Sequence, residues 1–243
     1  MVSHTETGPP GPTSRLEGKS ISDVLMVEIF AGSARLAKAC RHMGCRSVAV
    51  DKTTDRSHGT KIFVCDVTNP DDLDMLEQFL KAEVQNLGWV HFAPACGTAS
   101  KAREKPNRVL ERAGFHVPKP LRSEEHPLGL PHLSGIDLVR TQAANQVYEV
   151  TARLARLLIS WGVFVTIENP TNSLFWLVPC IAQLLMDFGD TIVFSTTVAM
   201  VVRGRKTLGS GAPYHGYCLW RHLALVNIYI NTKTGNHRWS MAK

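Results

Sequence analysis

The sequence has few cysteines, and they are not arranged in pairs. Six occur among 243 residues, at positions 40, 45, 65, 96, 180 and 218, and none belongs to a Cys-x-x-Cys motif. A small secreted protein held together by disulfides has more, and a structural zinc site typically uses closely spaced cysteine pairs. The sequence therefore predicts neither a disulfide scaffold nor a metal site.

Long apolar runs are also missing. The first 23 residues contain no apolar segment of the kind found in a secretory signal peptide. Residues 193–202 form a run far shorter than the roughly 20 residues that cross a bilayer. The apolar stretch 174–186 is interrupted by Pro179 and Gln183. We therefore expect a soluble intracellular protein, nuclear or cytoplasmic, that is not secreted and does not bind a membrane.

Acidic residues are absent from 203–243, where seven lysines and arginines give a net charge of +7. Residues 101–122 hold seven more lysines and arginines against two glutamates, a net charge of +5. The whole chain carries only +6, so the rest of it is acidic. Two basic segments on an acidic body favour nucleic acid as a partner, contacted through 101–122 and 203–243. The alternative is that both segments are solvated loops without a partner.

Apolar strands alternate with helices from Val24 onward, which predicts an α/β fold. We expect a Rossmann-like, doubly wound and mostly parallel sheet with helices on both faces. Residues 1–20, rich in Gly, Pro, Ser and Thr, are predicted to be a disordered leader, and 21–243 a single domain. That domain would contain a long basic loop at 93–135 and a divergent basic region at 203–243, with one more strand at 223–230.

Three predicted strands end in residues suited to a nucleoside cofactor. The first runs into Phe30-Ala31-Gly32-Ser33-Ala34, whose small side chains let a ligand reach backbone amides at a helix that Ser33 would cap. Asp51 ends the second strand, 19 residues beyond Gly32, as does a carboxylate that binds ribose hydroxyls. Asp66 ends the third and suits the adenine amino group. Each could instead be a simple turn residue, and the missing third glycine of a dinucleotide motif argues against NAD.

Two reactive side chains follow the next strands. Cys96 comes directly after the fourth strand, where Lys101 and Arg103 would stabilise a thiolate, although a free cysteine is often only a small buried residue. Glu168 closes the fifth strand, and burying an unpaired carboxylate costs several kcal/mol, so it is hydrogen-bonded or functional. If strands one, four and five are neighbours, both side chains face one cleft.

The chain resembles the DNA cytosine-5 methyltransferase family over about residues 24–176, in the segments VEIFAGSARLA, VAVDK, VHFAPACGTAS and TIENPTNSLFW. The last two segments are similar to those of divergent members of this family from mobile elements. The resemblance implies S-adenosylmethionine (SAM) as methyl donor and DNA rather than RNA as substrate. It implies cofactor binding by Phe30, Ala31, Gly32, Ser33, Ala34, Asp51, Asp66 and Pro94. It implies Cys96 as the nucleophile at carbon 6 of cytosine, Glu168 as the acid at ring nitrogen 3, and Asn169 as the residue that holds the cysteine loop. Arg203 and Arg205 would lie beside the base, which must be flipped or unpaired.

The sequence departs from the family at three places. Ala95 stands where the family has proline, which predicts a looser cysteine loop. Ala34 replaces a glycine, which is a mild loss only if its φ is negative. The chain beyond Glu168 leaves no room for a full target-recognition domain. The alternatives are a catalytically silent domain that binds cofactor or nucleic acid, and an NAD-linked oxidoreductase.

Overall fold

The computed structural model describes residues 15–54, 61–104, 108–115, 117–188, 192–194 and 198–203. They belong to one compact unit that ends at Arg205. The predicted strand at 223–230, the region beyond Arg203 and the leader residues 1–14 lie outside the described residues. Within those residues, no helix is both long and apolar enough to cross a membrane.

Seven strands form a single sheet in the order β3-β2-β1-β4-β5-β7-β6. They are β1 Leu25–Ile29, β2 Arg46–Asp51, β3 Ile62–Val64, β4 Leu87–Phe92, β5 Phe164–Pro170, β6 Ile192–Phe194 and β7 Val198–Arg203. The first five are parallel, whereas β7 runs antiparallel to both β5 and β6. The 3-2-1-4-5 order is that of a doubly wound α/β sheet, so the predicted fold class is confirmed.

The helices are α1 Arg35–His42, α2 Pro70–Ala82, α3 Arg108–Arg112, α4 Gly135–Ser160 and α5 Pro179–Phe188. The side chain of Asn69 caps α2 by accepting the amide hydrogens of Asp71 and Asp72 at 2.9 and 3.3 Å. The apolar stretch 174–186 forms a short 3-10 helix, Leu174–Leu177, followed by α5. Pro179 separates the two, because proline is tolerated in the first turn of a helix but not in its interior.

Both faces of the sheet are covered by helices. Alternate residues of β1, such as Val27, pack in a cluster with α2, α4 and α5, including Leu76 and Leu158. Met26 points to the other face and packs with Ala37 and its neighbours on α1. The alternation of side chains along a strand produces these two layers.

Residues 15–20 are attached to this body. Arg15 donates hydrogen bonds to the carbonyl oxygens of Val84 and Gly162, and Lys19 Nζ donates to the carbonyl oxygen of Gln85 at 2.8 Å. The prediction of a disordered leader is therefore wrong for residues 15–20, because their cationic side chains satisfy backbone carbonyls near the ends of α2 and α4.

Candidate active site

The turn between β1 and α1 is built from left-handed backbone. Phe30, Gly32 and Ala34 have φ angles of 63°, 52° and 53°. The condition under which Ala34 would be a mild loss, a negative φ, is therefore not met, and a residue with a side chain costs roughly 1–2 kcal/mol in this region. Ser33 does not cap α1, since the helix begins after Ala34, whose methyl group cannot accept a hydrogen bond.

Glu28 caps α1 in place of Ser33. Its Oε2 accepts the amide hydrogen of Ala37 at 2.7 Å, and the residue is only 6% exposed. Burial raises the pKa of Glu28, while the hydrogen bond from Ala37 and the charge of His91 act in the opposite direction. The sequence reading missed this residue, although a lone glutamate within the apolar run of β1 was a signal. One amide at the start of α1 is thus already satisfied by a side chain from β1.

The predicted meeting of Asp51 with the β1 turn is present in the structure. Asp51 Oδ2 accepts the amide hydrogen of Gly32 at 2.8 Å, and Oδ1 accepts that of Thr53 at 3.3 Å. Asp66 has a local role, because its Oδ1 accepts from both the hydroxyl and the amide of Thr68, at 2.7 and 3.0 Å. The hydrogen bond from the Thr68 hydroxyl lowers the pKa of Asp66. Both carboxylates therefore lie at the carboxyl edge of the sheet.

Residues 93–100, here called the cysteine loop, are held by hydrogen bonds to four of their carbonyl oxygens. The contacts are Asn169 Nδ2 to Pro94 O at 3.1 Å, Tyr148 Oη to Ala95 O at 2.9 Å, Arg103 Nε to Gly97 O at 2.7 Å, and the Leu174 amide and Ser173 Oγ to Ala99 O at 2.8 and 3.3 Å. Cys96 is partly exposed in the middle of the loop. These contacts hold the segment that a proline at position 95 would otherwise stiffen.

Arg122 lies buried beneath the cysteine loop and is only 2% exposed. Its guanidinium donates to Thr98 Oγ1 at 3.1 Å and lies 5.3 Å from the ring centre of Tyr148. Its other acceptors are the carbonyl oxygens of Pro127 and Thr141 and the side chain of Asn145. Sequence reasoning assigned Arg122 to a phosphate-binding segment, and its burial excludes it from that surface. Arg122 and Tyr148 are instead supports of the loop that the sequence did not reveal.

Burial and pairing also reduce the basic surface of residues 101–122. Lys101 pairs with Glu124 at 2.6 Å, and Arg103 is bound to the cysteine loop. Arg108, Arg112 and Lys119 remain exposed in the described part of this segment. The surface that can meet a polyanion is therefore smaller than the charge count suggested.

Glu168 ends a chain of polar contacts on β4 and β5. Its Oε2 lies 3.4 Å from His91 Nε2, and His91 Nδ1 lies 2.8 Å from Thr166 Oγ1, which also accepts from Trp89 Nε1 at 2.7 Å. The hydrogen bond with His91 lowers the pKa of Glu168 and outweighs the opposing effect of burial. Glu168 is therefore an ionised hydrogen-bond acceptor at neutral pH.

Strand pairing brings most of the candidate residues to one edge. Phe92 pairs with Ile29 on one side and Ile167 on the other, so the cysteine loop lies between the β1 turn and Glu168. Arg203 does not join them. Because β7 is antiparallel, Arg203 pairs with Val165 near the start of β5, about 10 Å along the strand from Glu168. The predicted place of Arg203 beside the base is therefore wrong, and Arg205 lies outside the described residues.

No protein-family model and no curated protein matches the chain. In structure it is similar to human N-acetylserotonin methyltransferase in complex with SAM, with 13% sequence identity and a TM-score of 0.31. The similarity covers 80% of this chain and 52% of that one, so the chain spans about half the length of that protein. The fold assignment rests on the strand order.

Proposed function

We propose that this protein transfers a methyl group from SAM to carbon 5 of cytosine in DNA. The observation that supports the proposal most is the hydrogen bond from Asn169 to Pro94, together with the pairing of β4 and β5. Together they hold a cysteine and a carboxylate at one edge of the sheet, beside the β1 turn. That is the pair of groups which cytosine methylation at carbon 5 requires.

The residues around the β1 turn fit a cationic nucleoside better than a dinucleotide. Asp51 offers a carboxylate for ribose hydroxyls, and no atom lies within 4 Å of the place a side chain on Gly32 would occupy. A pyrophosphate normally sits at the helix N-terminus, and here the side chain of Glu28 already accepts the amide hydrogen of Ala37. NAD is therefore disfavoured by this occupied amide as well as by the missing glycine of the motif. Bound SAM would supply an electrophilic methyl group.

The proposed chemistry uses the chain's own residues to make carbon 5 nucleophilic. The thiolate of Cys96 forms a bond to carbon 6 of the flipped base, and the ring electrons shift toward carbon 5 while Glu168 holds a proton at ring nitrogen 3. Asn169 keeps the loop in place through Pro94. After methylation, water accepts the proton from carbon 5. The electron pair of that bond re-forms the double bond between carbons 5 and 6, which breaks the carbon–sulfur bond and restores the thiolate.

Transfer of a radiolabelled methyl group from SAM to DNA and RNA tests the proposal. We expect label in cytosine of DNA with the unmodified protein, and none with Cys96→Ala. Cys180→Ala is a matched control, because Cys180 is also partly exposed but lies on α5. Transfer that survives Cys96→Ala, or that never reaches cytosine, contradicts the proposal.

A second candidate is a domain that binds SAM or nucleic acid without catalysing transfer. The position of Arg203 near the start of β5 favours it, because one expected partner of the base is then absent from the catalytic edge. The two candidates differ in outcome: the silent domain binds SAM in calorimetry but transfers no label to any cytosine.

A further inference from the structure

A row of polar side chains crosses the α1 face of the sheet, where apolar residues normally fill a buried strand surface. Glu28 on β1 is in register with His91 on β4, and His91 is in register with Thr166 on β5. Trp89 and Glu168 lie on the same face, two residues from His91 and Thr166. Burying these polar side chains costs free energy unless each of them is hydrogen-bonded, so we expect the row to have a function.

The donors and acceptors in this row restrict where hydrogens can lie. An indole N–H only donates, so Thr166 Oγ1 accepts from Trp89 and keeps one lone pair and its own hydrogen for His91 Nδ1. His91 Nε2 and Glu168 Oε2, 3.4 Å apart, would be two facing acceptors without a hydrogen between them. The His91–Glu168 pair therefore shares a proton.

His91 is buried and Glu168 is partly exposed, as expected if a proton passes from His91 to Glu168 and then to a bound base. The side chain of His91 is 5% exposed, and that of Glu168 is 39% exposed. A base in the cleft can thus reach Glu168 but not His91. Because the bond to His91 keeps Glu168 ionised, Glu168 alone has no proton to donate at neutral pH.

We propose that His91, as the doubly protonated imidazolium, supplies the proton that Glu168 passes to ring nitrogen 3 of cytosine. The N–H bond at His91 Nε2 breaks as an O–H bond forms on Glu168, which then donates to the base. When the cysteine adduct breaks down, the proton returns by the same two atoms, so none is gained or lost overall. This role rests on the proposed function.

The charged groups that face His91 in the described part of the chain are two carboxyls. Glu28 faces it from β1 and Glu168 from β5, while Thr166 and Trp89 are neutral. The attraction between Glu28 and His91, and the repulsion between Glu28 and Glu168, couple the three groups. Thr166 can accept from Nδ1–H of the charged ring.

One test needs no substrate. In protein labelled with carbon-13 at glutamate carboxyls, the Glu168 signal is assigned by its loss in Glu168→Gln and is then followed against pH. We expect the pKa of Glu168 to lie below its ordinary value of 4.5 in the unmodified protein and to rise in His91→Gln, where an amide replaces the ring and the charge of His91 is lost. Trp89→Phe is the control on the same face, and it leaves the His91–Glu168 contact in place. An unchanged Glu168 titration in His91→Gln refutes the coupling.

A second test measures the rate of adduct formation with SAM and DNA containing 5-fluorocytosine. His91→Gln should be slower by about 100-fold near neutral pH, the usual contribution of a general acid. Its rate should recover as acid protonates Glu168 directly, whereas Glu168→Gln should not recover. Equal SAM binding by calorimetry identifies the variants that are folded.

The outcomes separate the two proposals. A normal rate and pH profile in His91→Gln refutes the proton role while leaving the proposed function intact. Absence of adduct in the unmodified protein refutes the proposed function, and with it the proton role, even if the carbon-13 titration shows the coupling.

Discussion

Replacing Tyr148 with phenylalanine should loosen the cysteine loop without disturbing the core. The ring is fully buried, packs edge-on against Phe175 at 4.9 Å and lies beneath Arg122. Phenylalanine preserves this packing and removes only the hydroxyl, which donates to Ala95 O at 2.9 Å. The change therefore removes this hydrogen bond and the 3.5 Å contact of the same hydroxyl with Thr98 Oγ1, both of which join α4 to the cysteine loop.

The magnitude follows mainly from the 2.9 Å hydrogen bond to Ala95 O, because the Thr98 contact at 3.5 Å is much longer. A neutral hydrogen bond contributes roughly 0.5–1.5 kcal/mol net, and no cavity forms because the ring stays in place. Ala95 is exposed, so water can reach its carbonyl oxygen and the effect should not exceed this range. A decrease of about 1 kcal/mol in the free energy of loop opening makes the open form about fivefold more populated.

Native-state hydrogen exchange of the Ala99 amide, which donates to Cys96 O at 2.9 Å, measures this opening. We expect exchange about fivefold faster in Tyr148→Phe, as the change in population dictates. Thr151→Val is the matched control, since it removes a buried hydroxyl of α4 that bonds only to Val147 O of the same helix. If both variants exchange Ala99 at the same rate, Tyr148 does not hold the loop and the reasoning fails.

Three further predictions follow from the site and its surface. Asp51→Ala should weaken SAM binding at least about tenfold in calorimetry, because a charge-assisted hydrogen bond contributes roughly 1.5–3 kcal/mol; equal affinity would remove Asp51 from the site. Glu28→Gln should abolish a pH dependence of the free energy of unfolding measured in urea. Because the pKa of Glu28 is raised in the folded state, its contribution to the free energy of unfolding is fully present below the ordinary value of 4.5. That contribution is lost as the pH rises through the folded-state pKa. If the variant loses the same free energy of unfolding over the same pH range, the assignment to Glu28 is contradicted. Charge reversal at Arg108, Arg112 and Lys119 should weaken DNA binding and flatten its salt dependence by about one logarithmic unit for each phosphate that is no longer neutralised, whereas identical slopes would mark these residues as solvated only.

Features set by local physical chemistry could be predicted from the sequence. The N-terminus of α2 follows from Asn69 and Pro70, whose side chains act on their own helix turn. The adjacency of β1, β4 and β5 follows from the alternation of strands and helices, which permits few topologies. The contact between Asp51 and Gly32 follows in turn, because Asp51 ends β2 and Gly32 lies in the turn after the neighbouring parallel strand β1.

Features set by long-range packing could not be predicted. Periodicity does not tell whether a strand runs parallel or antiparallel, so the reversal that moves Arg203 away from Glu168 has no local signal. A charged residue in a loop normally suggests exposure, and only the tertiary structure places Arg122 under Thr98. Likewise, Glu28 caps a helix nine residues ahead, a partner that local capping rules do not include.

The most direct test of the account is mass spectrometry of the intact protein after incubation with SAM and a DNA oligonucleotide carrying 5-fluorocytosine. The fluorine at carbon 5 cannot leave as a proton does, so a methylated adduct remains bound to the enzyme. We expect a covalent protein–DNA species whose linked peptide contains Cys96 and which is absent from Cys96→Ala. A protein that binds SAM yet forms no adduct, or an adduct on another cysteine, would contradict the central claim.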